Sequence, residues 1–123
     1  MAPHLQRVRE HIDRHYARPL TNGDLAARAG LSRYHFIRSF RLATGDTPHR
    51  YLRRCRLERA KELLVTTPLP VTEICAQVGF GSLGSFSSLF RRETGETPGG
   101  YRARRRKDVY IPSCFVRMYR AGR

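Results

Sequence analysis

Two stretches of this chain decide its fold: SRYHFIRSFRLATGDTPHRYLRR, residues 32–54, and SLGSFSSLFRRETGETPGGYRAR, residues 82–104. They align at an offset of 50, with identities at Ser32/Ser82, Phe36/Phe86, Phe40/Phe90 and Arg41/Arg91. The identities continue at Thr44/Thr94, Gly45/Gly95, Thr47/Thr97, Pro48/Pro98, Tyr51/Tyr101 and Arg54/Arg104. Upstream, DLAARAGL from Asp24 answers EICAQVGF from Glu73 at an offset of 49, and the extra Gly81 accounts for the change. A chain that repeats itself at such a period is built from repeated supersecondary units.

Each copy carries the punctuation of two helices joined by a tight turn. Leu25, Ala26 and Ala29 give a short helix with a small-residue face, opened by a capping box of Thr21 and Asp24. Gly30 ends it, because a residue free to take positive φ suits that place. Ser32 caps the next helix, and Phe36 and Phe40, four apart, face inward from it. Gly45 stops it. The second copy repeats the design with Ile74, Ala76, Val78, Gly79, Ser82, Phe86, Phe90 and Gly95. Thr47-Pro48 and Thr97-Pro98 each read as a helix start, threonine at the cap and proline in the first turn.

The first of these opens a long helix over residues 47–66, with Tyr51, Leu52, Leu57, Ala60, Leu63 and Leu64 apolar and Pro68 and Pro70 ending it. About 17 helical residues span roughly 26 Å, a length suited to holding two units near one turn of DNA apart, about 34 Å. Leu5, Val8, Ile12 and Tyr16 stand at helical spacing near the N-terminus. The expectation is an all-α fold of about seven helices: a first subdomain over 1–46, a linker helix over 47–66, a second subdomain over 67–107 and a tail over 108–123.

Composition narrows the function. The 123 residues include 24 Lys or Arg against 10 Asp or Glu, a formal charge of +14. Such an excess repels itself and favours a polyanionic partner. Lys61 and Lys107 are the lysines and the rest are arginines, whose planar fork matches phosphates and the guanine edge; a GC-rich genome would produce the same bias. No apolar run reaches the roughly 18 residues of a membrane span, and the N-terminus lacks the apolar block of a secretory signal. The protein is therefore expected in the cytoplasm, associated with the nucleoid. Cys55, Cys75 and Cys114 have no zinc-ligand spacing and read as small buried or semi-buried thiols. His4, His11, His15, His35 and His49 form no constellation with a nucleophile, so neither an enzyme nor a cofactor is expected. A membrane-surface role would need a helix with a basic face opposite Trp, Phe or Leu, which is missing.

The segments DLAARAGLSRYHFIRSFRLATGDTPHRYL, RLERAKELL and VTEICAQVGFGSLGSFSSLFRRETGETPGGYR together resemble the DNA-binding domain of the AraC/XylS family of bacterial transcription regulators, over about residues 5–106. The resemblance implies a monomeric unit with two helix-turn-helix subdomains on a shared helix. It implies that the second helix of each enters successive major grooves of double-stranded DNA, and that the protein is an activator. A fragment of a longer ligand-sensing regulator would carry the same pattern, as would a stand-alone member. A largely non-specific architectural binder is the competing reading.

By motif position, Tyr34, Ile37 and Arg38 fall where family members contact bases. Arg33 and Arg41 lie on the same outward side, and Arg38 is the leading candidate for a bidentate guanine contact. In the second copy the corresponding residues are Leu83, Gly84, Ser85, Ser87 and Ser88. They are short, where family members carry longer polar or basic side chains. The expected phosphate contacts are Ser32, Tyr51, Arg53 and Arg54 in the first unit and Ser82, Arg91, Arg92, Tyr101 and Arg102 in the second. Arg104 to Lys107 extend the basic stretch. Phosphate contacts fix register without reading sequence, so the first unit is expected to discriminate and the second to anchor. The apolar tail beyond Lys107 is expected to fold back on the domain or to dock on a partner such as RNA polymerase.

Overall fold

The computed structural model describes residues 1–105. Seven helices make up this span: α1 (Pro3–His15), α2 (Asn22–Ala29), α3 (Arg33–Thr44), α4 (Pro48–Thr66), α5 (Val71–Gln77), α6 (Leu83–Thr94) and α7 (Pro98–Arg105). No strand occurs among the described residues, so the all-α expectation holds. The tail from residue 108, with Cys114, lies outside the described residues, as do Arg106 and Lys107. The chain divides within α4 into two compact units, Met1–Arg56 and a second from Leu57 onward.

In the first unit, α1 presents Leu5, Val8 and Ile12 as one buried stripe. That stripe packs with Leu25, Ala26 and Ala29 of α2, Phe36 and Phe40 of α3 and Leu52 of α4. Phe36 and Phe40 are fully buried, with ring centroids 5.6 Å apart. The Tyr51 ring meets Phe40 edge-on at 5.6 Å, an arrangement that aromatic quadrupoles favour. Burying a side chain of this size stabilises by about 1.5–3 kcal/mol, so the two phenylalanines fix which faces of α3 are left for solvent.

The second unit repeats this packing. Leu57, Ala60, Leu63 and Leu64 of α4 are buried, together with Ile74, Cys75, Val78, Phe86, Leu89 and Phe90. Phe86 and Phe90 lie 5.7 Å apart and Tyr101 meets Phe90 edge-on at 5.3 Å. One expectation needs correcting. Ala76 is exposed, and Cys75 supplies the small buried residue of α5. The repeat alignment pairs Cys75 with the buried Ala26 and Ala76 with the exposed Ala27, so the thiol stands in for a methyl group.

The turn between the two helices is made the same way twice. Leu31 N donates to Ala26 O at 3.0 Å and Gly30 N to Ala27 O at 3.1 Å. Phe80 N donates to Cys75 O at 3.0 Å and Gly79 N to Ala76 O at 3.1 Å. This paired pattern closes a helix through a left-handed residue, and Gly30 and Gly79 take φ of 71° and 97°. At the far end of the second helix, Thr44 Oγ1 donates to Phe40 O at 2.8 Å and accepts from Asp46 N at 3.2 Å. Thr94 makes the same clasp with Phe90 O at 2.7 Å and Glu96 N at 3.2 Å. Thr47 and Thr97 then accept from Arg50 N and Gly100 N, starting α4 and α7.

Candidate nucleic-acid interface

Helix α3 begins where Ser32 Oγ accepts a hydrogen bond from His35 N at 3.2 Å. With Phe36 and Phe40 locked into the core, Arg33, Tyr34, Arg38, Arg41 and Leu42 are exposed and Ile37 is half-buried. All five base-contact candidates of the first unit therefore sit on α3, four facing out and Ile37 resting against the core. Tyr34 is 74% exposed and Leu42 79% exposed. They bound a shallow groove of about 630 Å³ lined by Tyr34, Ile37, Arg38, Arg41, Leu42 and Gly45. Leu42 escaped the sequence reading. Its signal was spacing: Tyr34, Arg38 and Leu42 are four apart and share one stripe of the helix. No ion pair engages Arg38 or Arg41 among the described residues.

Helix α6 is built alike but presents different chemistry. Ser82 Oγ accepts from Ser85 N at 3.3 Å. Leu83, Gly84, Ser85 and Ser88 are exposed and Ser87 is half-buried. Leu89 is buried where the first repeat has the half-buried Ser39. The outward face thus offers hydroxyls, a glycine and one leucine. Arg91 and Arg92 are exposed towards its C-terminal end, and the Nε of Arg92 lies 3.8 Å from the exposed Glu93 carboxylate.

The expected phosphate contacts divide into two groups. Ser32, Arg53, Ser82, Arg91 and Arg92 are exposed. Four others are already engaged within the protein. Tyr51 Oη donates to Asp13 Oδ1 at 2.7 Å. That bond and burial push the phenol far above its ordinary titration range, burial contributing most. Arg54 pairs with the buried Asp46 carboxylate at 2.7 Å, although its own side chain stays 59% exposed. Tyr101 packs on Phe90 and carries the Arg105 guanidinium 3.7 Å above its ring.

Arg102 is the most extensively engaged of the four. It is half-buried, and its Nε and Nη2 donate to Leu64 O at 3.0 Å and Thr67 O at 3.2 Å. These are carbonyls at the C-terminal end of α4, where a helix lacks internal donors and its dipole favours a cation. Arg56 does the same for α1, through Tyr16 O at 2.7 Å and Arg18 O at 3.0 Å. The two arginines do not align in the repeat, so no pattern marks them as sharing a task. At position 102 the repeat aligns the buried Leu52, which would have argued for an inward side chain.

Comparison with known proteins agrees with this architecture. A family model described as a helix-turn-helix domain matches residues 25–104. The regulatory protein SoxS of Salmonella typhimurium is 38% identical over 100 residues, covering 81% of this chain and 94% of SoxS. The HTH-type transcriptional activator RhaS of Klebsiella pneumoniae is 39% identical over 87 residues, covering 71% of this chain and 31% of RhaS. Among solved structures, the DNA-binding domain of the global transcriptional factor AdpA, in complex with a target DNA, superposes with a TM-score of 0.82. It is 35% identical, with 86% of this chain and 96% of that one covered. A probable AraC family transcriptional regulator from Rhodopseudomonas palustris gives 0.77 at 32% identity, covering 85% and 99%. Repeat, fold and relatives together establish that this chain belongs to the AraC/XylS family of helix-turn-helix transcription regulators, as a DNA-binding domain of that family.

Proposed function

We propose that this domain is a sequence-specific binder of double-stranded DNA in which α3 reads bases and α6 with its arginines anchors. The observation that carries the reading is the contrast between two helices on one scaffold. The exposed face of α3 carries Tyr34, Arg38, Arg41 and Leu42, while that of α6 carries Leu83, Gly84, Ser85 and Ser88. An arginine free of internal ion pairs can make a bidentate contact to guanine, and apolar side chains can pack on thymine methyls. Short hydroxyls reach base edges poorly but leave room for the backbone amides of a helix start to meet a phosphate. Each reading helix takes one half-site, one informative and one permissive. The domain binds as a monomer and acts as a cytoplasmic activator, with RNA polymerase as its protein partner.

The test is a titration of the wild type against a selected duplex and a random duplex at several salt concentrations. Binding to the selected duplex should be tight and binding to the random duplex weaker, with both affinities falling as salt rises. Equal affinity for the two duplexes at every salt concentration would make the domain an architectural binder instead.

A further inference from the structure

The first unit carries a second groove, away from α3, between the C-terminal half of α1 and α2. It has a volume of about 610 Å³. Pro19, Leu20, Leu25 and Ala27 form its apolar part, and His11, Arg18 and Arg28 bring basic groups to it. Asp24 is the one acidic side chain among its lining residues. The His11 ring packs on that of His15 at 4.6 Å. No ion pair engages Arg14, Arg18 or Arg28 among the described residues.

The repeat supplies an internal control. At the offset of 49, Pro19, Leu20 and Ala27 recur as Pro68, Leu69 and Ala76, and Asp24 as Glu73. Arg18 and Arg28, by contrast, become Thr67 and Gln77. The same scaffold therefore closes in the second unit without these cations. Gathering like charges costs stability; the α2 dipole offsets part of that cost for Arg28, in the last turn of that helix, whereas Arg18 lies between helices.

We propose that this groove binds a phosphate-class oxyanion, held by the Arg18 and Arg28 guanidinium groups, with protonated His11 as a further donor. Guanidinium forks match such anions two bonds at a time. The anion is either a backbone phosphate of the duplex or a free small-molecule oxyanion. Burial, then Arg28, His15, Arg18 and Arg14, hold the His11 imidazole below its ordinary pKa. A bound anion reverses the electrostatic part of that effect, so binding takes up a proton and strengthens as pH falls through the His11 titration.

The probe is inorganic sulfate, whose charge is constant across the histidine range, added to the full chain while histidine ring protons are followed by NMR. Sulfate should raise the His11 midpoint saturably and bind about tenfold more tightly to the protonated form, the factor that one unit of pKa implies. Arg18→Thr and Arg28→Gln, which install the residues of the second unit, should abolish the effect, and Arg7→Gln on α1 should leave it. Duplex titration of the Arg18→Thr/Arg28→Gln variant identifies the source. A salt slope lower by about one marks a duplex phosphate. An unchanged slope, with sulfate still binding to the duplex-saturated wild type, marks a free oxyanion. The proposal is overturned if His4, His35 and His49 shift as His11 does, or if sulfate binding survives both substitutions. An absence of saturable response together with an unchanged salt slope overturns it equally. The sulfate measurement uses no DNA, so its failure is distinct from failure of the base-reading role of α3.

Discussion

The Nε of Arg102 donates a 3.0 Å hydrogen bond to the carbonyl of Leu64, tying α7 to the end of α4 within the second unit. A charged donor that is half-buried against carbonyls contributes to stability about 1–3 kcal/mol. Arg102→Ala should therefore lower the unfolding free energy in urea by that amount while leaving the salt dependence of DNA binding unchanged. A flattened salt slope with unchanged stability would assign Arg102 to phosphate contact instead.

Tyr51 makes a parallel case. Its hydroxyl is held by Asp13 at 2.7 Å, so Tyr51→Phe should cost about 0.5–1.5 kcal/mol of stability. Affinity for random duplex at a temperature where the variant remains folded should not change. Loss of affinity without loss of stability would mean that the hydroxyl reaches the DNA.

Cys55 shares that environment, with its Sγ 3.5 Å from Asp13 Oδ1. Burial, then the neighbouring Asp13 carboxylate, push the thiol from 9.0 up to about 11. The thiolate is the reactive form, so alkylation by iodoacetamide in the folded protein should stay slow near neutral pH and accelerate only towards pH 11. A thiol whose folded pKa is raised is linked to stability that is fully present below the unfolded value. That stability is lost as pH climbs from about 9 to about 11. Cys55→Ser should shrink this alkaline loss, measured by thermal unfolding across that range.

Much of this was legible in the sequence because the signals are local. Thr21, Ser32, Ser82, Gly30, Gly45 and Gly95 each act within four residues of themselves, and each caps or stops a helix as the residue type dictates. The buried Phe36/Phe40 and Phe86/Phe90 pairs follow from a spacing of four. What was not legible depends on partners far along the chain. Arg56 and Arg102 look like any other arginines in a strongly basic sequence, and the carbonyls they meet lie at Tyr16, Arg18, Leu64 and Thr67. Tyr51 gave no sign of its partner, 38 positions away. Leu42 was lost for another reason. The second repeat has Arg92 at that position, and an exposed leucine on a reading helix runs against hydrophobic patterning.

Arg38 and Arg92 should behave differently if α3 reads and the second unit anchors. Arg38→Ala should weaken binding to the selected duplex by about 1–3 kcal/mol and relax preference at one position. Arg92→Ala should weaken selected and random duplexes alike and lower the salt slope by about one. Matching effects of the two substitutions on both duplexes would remove the division of labour.

The central claim is the asymmetry between two helices on one scaffold, and selection of bound sequences from random duplex DNA tests it most directly. The account predicts two half-sites, one strongly defined, containing a guanine whose preference disappears with Arg38→Ala, and one of low information content. Two equally defined half-sites, or a single strong half-site that Arg38→Ala leaves intact, would contradict it.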